Sequence, residues 1–143
     1  MVRAFALAVL LAACGGTHAA PAPATPSEQP MPPELTTFHD VLAPRWHAAQ
    51  GPQRIEDTCD AVPELHTKAG AIATMTPPTG ADADTWTTAT KALVDAVANL
   101  DATCKANDAT QFEAAFGKVH ESFEALAAAA GVHHEGDEPK MEP

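Results

Sequence analysis

Between Glu34 and Gly131 the apolar residues recur every three or four positions, in four runs separated by short breaks. That spacing constrains the fold more than any other feature of the chain. An α-helix turns once in about 3.6 residues, so each run lays an apolar stripe along one helix face, and the stripe has to be buried. Alternation with a period of two, the mark of a half-buried strand, is not convincing anywhere, and β-branched residues do not cluster.

The first run, Glu34–Gln50, carries Leu35, Phe38, Leu42, Trp46 and Ala49 on one stripe. Pro33 precedes it, where a first-turn proline is tolerated, and Glu34 suits the positive end of the helix dipole. Gly51-Pro52 breaks the chain and restarts it. The second run, Gln53–Met75, places Ile55, Cys59, Val62, His66, Ala69 and Ala73 along one face. Met75–Gly80 reads as a loop, after which Asp82 or Asp84 can cap a third helix with the stripe Trp86, Ala89, Leu93, Val97, Leu100 and Cys104. Asp108, with Gln111 three residues on, has the form of a capping box with Asp in place of Ser or Thr. The fourth stripe is Phe112, Phe116, Val119, Phe123, Leu126 and Ala130, closed by Gly131. Four amphipathic segments with short connections predict an all-α chain, an up-down-up-down four-helix bundle over residues 34–131.

The bundle pattern, with the run LVDAVANLDATCKANDATQF from Leu93 to Phe112, resembles the b-type and c-prime cytochromes of the bacterial periplasm. The resemblance implies the bundle and not the haem. No Cys-x-x-Cys-His is present, Met31 lies before helix one, and His120 sits in mid-helix instead of near the end of helix four.

A different signal opens the chain. Arg3 is the only charge before the apolar run Ala4–Ala13. A membrane-spanning helix needs roughly 20 apolar residues, so this run matches a signal-peptide core. It ends in Leu11-Ala12-Ala13-Cys14, a quartet that resembles the lipobox of bacterial lipoproteins. The resemblance implies removal of residues 1–13 as a signal peptide and a diacylglycerol thioether on the Cys14 sulfur. It further implies a fatty acyl group such as palmitate on the new amino group, as the rest of a membrane anchor. In that family an Asp after the lipidated cysteine is associated with inner-membrane retention, so Gly15 implies the outer membrane, facing the periplasm. An ordinary secretory signal cleaved further on and an uncleaved N-terminal anchor are the alternatives.

Residues 14–33 follow as a linker with Pro at 21, 23, 26, 30, 32 and 33. Such density favours extended chain at about 3 Å per residue, a spacer reaching roughly 50 Å from the lipid. A proline-motif ligand is the rival reading. With Cys14 committed to lipid, Cys59 and Cys104 remain, and an oxidising compartment favours their pairing. They fall on the inward stripes of consecutive helices, one early and one late, ends that antiparallel packing brings together. Two thiolates holding a soft metal such as Cu(I) are the alternative.

The formal net charge is −11, and −12 once Arg3 leaves with the leader. Such a surface argues against binding nucleic acid or anionic headgroups through charge. Catalytic motifs are missing as well. Thr36, Pro44, Pro63 and Gly117 stand three residues before the bundle histidines, where a di-iron bundle would carry Glu. There is no His-Glu-x-x-His, no glycine-rich phosphate loop and no Tyr, and Ser27 and Ser122 are the only serines. No enzyme is expected.

Two non-enzymatic functions are expected instead. The first is a binding or structural module that engages an envelope protein partner without a cofactor. The second is a transition-metal protein for Zn, Cu or Ni. Wheel and level estimates bring His39, His66 and His120 within about one turn of each other, where Pro44 and Pro63 should kink helices one and two. Three imidazoles with an open position can hold Zn²⁺ or Cu. The acidic tail 132–143 offers His133 and His134 as another ligand set, with Glu135, Asp137 and Met141 beside them. Single histidines at the edge of an apolar face are more often half-buried residues with a backbone or water partner. Nothing in the sequence sets an oligomeric state.

Overall fold

The structure is a computed structural model that describes residues 30–132, and its order is α1 Pro33–Trp46, α2 Pro52–Ala73, α3 Ala83–Lys105 and α4 Ala109–Ala129. Cys14, the leader, nearly all of the linker and the tail histidines His133 and His134 lie outside the described residues.

The helix ends follow from local chemistry. α1 stops at Trp46, two residues past Pro44 and four short of the expected Gln50. The chain then turns through residues 47–51 to Gly51, whose φ of +145° is glycine territory. α2 starts on Pro52 with no side-chain cap and continues past the internal Pro63, so that proline does not end the helix. Asp82 caps α3, accepting from the Thr85 N–H at 2.8 Å and from its hydroxyl at 2.7 Å. The backbone bond first, then the hydroxyl, holds the Asp82 carboxyl below the ordinary carboxylate pKa.

α3 ends in a Schellman turn: Asn107, at φ +52°, donates to the Cys104 carbonyl and Asp108 N–H to that of Thr103. Asp108 then caps α4, accepting from the N–H groups of Thr110 and Gln111 at 3.1 and 3.2 Å. Its own N–H is spent on Thr103, so the expected capping box forms in one direction. α4 closes with the same turn at Gly131, φ +75°, followed by the buried Val132. Val132 and the part-buried Met31 thus pack on the bundle, one just beyond and one just before the expected limits 34–131.

Sequence neighbours pack side by side, and α1 closes on α4 to complete an antiparallel four-helix bundle. The α1–α4 seam is made of rings: Phe38 stacks on Phe123 at 5.5 Å and Trp46 meets Phe116 edge-on at 5.6 Å. Phe38, Phe112, Phe116 and Phe123 are all fully buried, each worth about 1.5–3 kcal/mol of apolar transfer. The α3 and α4 stripes are inward as expected, save that Cys104 is half-buried. The α2 stripe is inward only at Val62 and Ala69. The core takes Arg54, Thr58, Ala61, Val62, Leu65, Ala69 and Ile72, a face turned by roughly 75°, most of one residue's rotation, from the expected one. Ile55 and Cys59 are half-buried at its edge, while His66 and Ala73 are exposed. Two polar residues at inward positions, Arg54 and Thr58, disguise the true stripe.

Because α1 and α4 run antiparallel, the chain enters the bundle and leaves it at the same end. The opposite end carries the 47–51 and 106–108 connections. Among the described residues no helix is long and apolar enough to cross a membrane.

Candidate functional site

The structure separates the three bundle histidines into two places. His39 packs its ring on Phe123, centroids 5.6 Å apart. His120 stacks flat on Trp46 at 4.0 Å with planes 9° apart, its Nε2 3.8 Å from Glu124 Oε1. Both belong to the α1–α4 seam. His66 instead lies on the outer side of the α2–α3 pair, in a shallow groove with Asp101 and Lys105. Arg45 Nε donates to the Asp57 carbonyl at 3.0 Å, a register that sets His66 about one turn from the level of His39. The rotated α2 face does the rest, turning His66 out of the core. Among the described residues no group of three His, Cys, Asp or Glu is arranged to hold a metal ion.

The end of the bundle opposite the termini holds the less ordinary chemistry. Cys59 and Cys104 form a disulfide, Cα atoms 5.6 Å apart across α2 and α3. The pair lines a half-open groove of about 470 Å³ whose rim includes Glu56, Asp60 and Asp108. The Asp108 carboxyl is held below its ordinary pKa, chiefly by the Thr110 hydroxyl and then by the Gln111 and Thr110 N–H groups.

Beside this groove, in the first turn of α2, Arg54 is buried, with a side chain only 5% exposed. Its guanidinium carbon lies 5.4 Å from the Trp46 ring centroid and 5.2 Å from that of Phe116. Both are within cation–π range. The nearest carboxylate, Glu113 Oε2, stands 3.6 Å from Nη2, outside hydrogen-bond distance, and Nε has no hydrogen-bond partner. A buried charge is ordinarily paired and fully hydrogen-bonded, since several kcal/mol of hydration are lost on burial. Here two ring faces and one carboxylate at 3.6 Å stand in for that pairing.

Arg54 also lines a second cavity of about 380 Å³, at the corner where α1 ends and α2 begins. Arg45, Asp57 and Asp60 line it as well. Arg45 is fixed there by its bonds to the carbonyls of Asp57 and Val41, at 3.0 and 2.7 Å.

Sequence reasoning missed Arg54. The signal was present: Arg54, Thr58, Ala61, Leu65, Ala69 and Ile72 are spaced by three and four, and the last four mark the face. Weighing Leu65 and Ile72 above Ile55 and Cys59 would have turned Arg54 inward.

Fold and site together define a disulfide-stapled, all-α four-helix bundle with a buried arginine stacked on aromatic rings. Comparison with protein-family models, curated proteins and solved structures gave no match.

Proposed function

We propose that this chain is a lipid-anchored protein of the bacterial envelope, facing the periplasm, whose helical bundle is a non-enzymatic binding or structural module. The quartet Leu11-Ala12-Ala13-Cys14, after an apolar run too short to span a bilayer, carries the reading. The proline linker supports it as a spacer, and the disulfide suits an oxidising compartment. One acyl chain holds a protein marginally, whereas the two or three on a lipoprotein cysteine hold it firmly. The bundle contributes a rigid surface with two half-open cavities at the end away from the chain termini.

The test is metabolic labelling with palmitate in a bacterial host, followed by membrane fractionation. Label and membrane association are expected in the chain as it stands. Cys14→Ser should lose both and accumulate as the unprocessed precursor. Processing and localisation unchanged in that variant would overturn the lipid anchor and leave a plain secretory signal. The transition-metal alternative, read on His39, His66 and His120, finds no group of three ligands among the described residues, and its other set, His133 and His134, lies outside them.

A further inference from the structure

From the corner cavity between α1 and α2, we infer that the bundle binds a small zwitterion there, a molecule with a carboxylate and an ammonium group, such as a free amino acid.

The positive side of the site is unusual for a chain of net charge −11. Arg54 brings a buried, under-paired guanidinium: 6% residue exposure, an unpartnered Nε, and a carboxylate no closer than 3.6 Å. Arg45 adds a second guanidinium on the same wall, held in place by two carbonyls. Arg54 itself stands in the first turn of α2, close to the N-terminus of that helix. No side chain caps it, and its first turn contains no acidic residue. Exposed N–H groups and the helix dipole both favour a carboxylate at such an end.

The negative side decides the ligand class. Asp57 and Asp60 line the same cavity, one and two turns further along α2. Asp57 Oδ1 already accepts from Gln53 Nε2 at 2.8 Å, whereas Asp60 is exposed at the edge shared with the disulfide groove. A simple anion would meet two carboxylates and an acidic surface. A simple cation would meet two guanidinium groups. A zwitterion satisfies both walls, and Pro44 and Ala48 leave room for an apolar side chain. A volume of about 380 Å³ lies in the range of small-molecule sites.

This inference rests on reading the bundle as a binding module and not on the lipid anchor, so each can fail without the other. The test is calorimetric titration of the full chain at neutral pH with three probes of one skeleton: norvaline, valerate and butylammonium. Norvaline is expected to bind, with valerate and butylammonium each about tenfold weaker or worse, since each lacks one charge-assisted contact. Arg54→Gln should abolish norvaline binding. Asp60→Asn, an exposed position that leaves the core intact, should bring norvaline down to the affinity of valerate. No heat with norvaline at millimolar concentration overturns the site. Equal binding of norvaline and valerate, or an unchanged affinity in Asp60→Asn, overturns the zwitterion assignment.

Discussion

Breaking the Cys59–Cys104 bond tests how much of this bundle's stability resides outside its packed core. The two cysteines are 45 residues apart in sequence, and the bond ties the far ends of the α2–α3 hairpin. In the chain-entropy treatment a closed loop of that length removes about 13 cal/mol/K from the unfolded ensemble, or about 4 kcal/mol at room temperature. Domains of this size carry only about 5–15 kcal/mol in total. Urea unfolding of the oxidised chain, the reduced chain and a Cys59→Ala/Cys104→Ala variant, followed by far-UV circular dichroism, separates the causes. Reduction keeps both sulfurs in place, so it reports the cross-link alone, whereas the variant adds any loss of packing at two half-buried positions. The reduced chain is expected to lose about 3–4 kcal/mol. Its urea slope should steepen, because an uncrosslinked unfolded chain exposes more surface. The melting temperature should fall by roughly 15–30 °C. A loss below about 1 kcal/mol with an unchanged slope would refute the reasoning, and would mean that the unfolded chain is already constrained without the bond.

Arg54→Met should leave stability unchanged or raise it by about 1 kcal/mol in urea unfolding, because an apolar side chain of similar volume removes an under-paired buried charge. A loss above about 2 kcal/mol would show that the ring stack and Glu113 outweigh desolvation. Phe123→Ala deletes a fully buried ring that meets Phe38 and His39, and should cost about 3–5 kcal/mol in the same assay. The carboxyls of Asp82 and Asp108 have folded pKa values below the ordinary 3.8, so their share of stability is present above that value and lost as pH falls through the lower folded ones. The stability difference between the chain and Asp82→Asn/Asp108→Asn should therefore shrink in acid; a constant difference would deny the caps this role. In Zn²⁺ calorimetry, His66→Ala should leave whatever affinity the chain has unchanged, because His66 stands apart from His39 and His120. A fall of tenfold or more would restore the three-histidine site.

The parts of the fold that were legible are those where a single physical term dominates. The α3 and α4 stripes contain large apolar residues and no inward charge, so period alone identifies Trp86, Leu93, Phe116 and Phe123. The disulfide was expected from an export reading that leaves two cysteines in an oxidising compartment, and from antiparallel packing, which brings an early position on one helix to a late one on the next. α2 failed for an equally specific reason. Its core face includes a charged residue whose burial depends on rings from α1 and α4, a tertiary effect that residue spacing does not carry. The error then propagated to His66, whose apparent place in the stripe was most of one residue's rotation away from solvent. The α1 boundary failed because Pro44 and Gly51 both signal a break, and the helix ends between them, at Trp46.

Entry and exit at one end give the bundle a direction of mechanical weakness. A pull between residues 30 and 132 loads the α1–α4 seam from that end, so the Phe38–Phe123 stack bears force before the Trp46–Phe116 contact does. The seam should peel one turn at a time instead of shearing as a block. Peeling would stop short of full extension, because the disulfide shunts force past the 45-residue span from Cys59 to Cys104. At about 3.4 Å per residue that withholds roughly 150 Å of contour length, and it keeps the α2–α3 hairpin bolted together while the rest of the chain is drawn out.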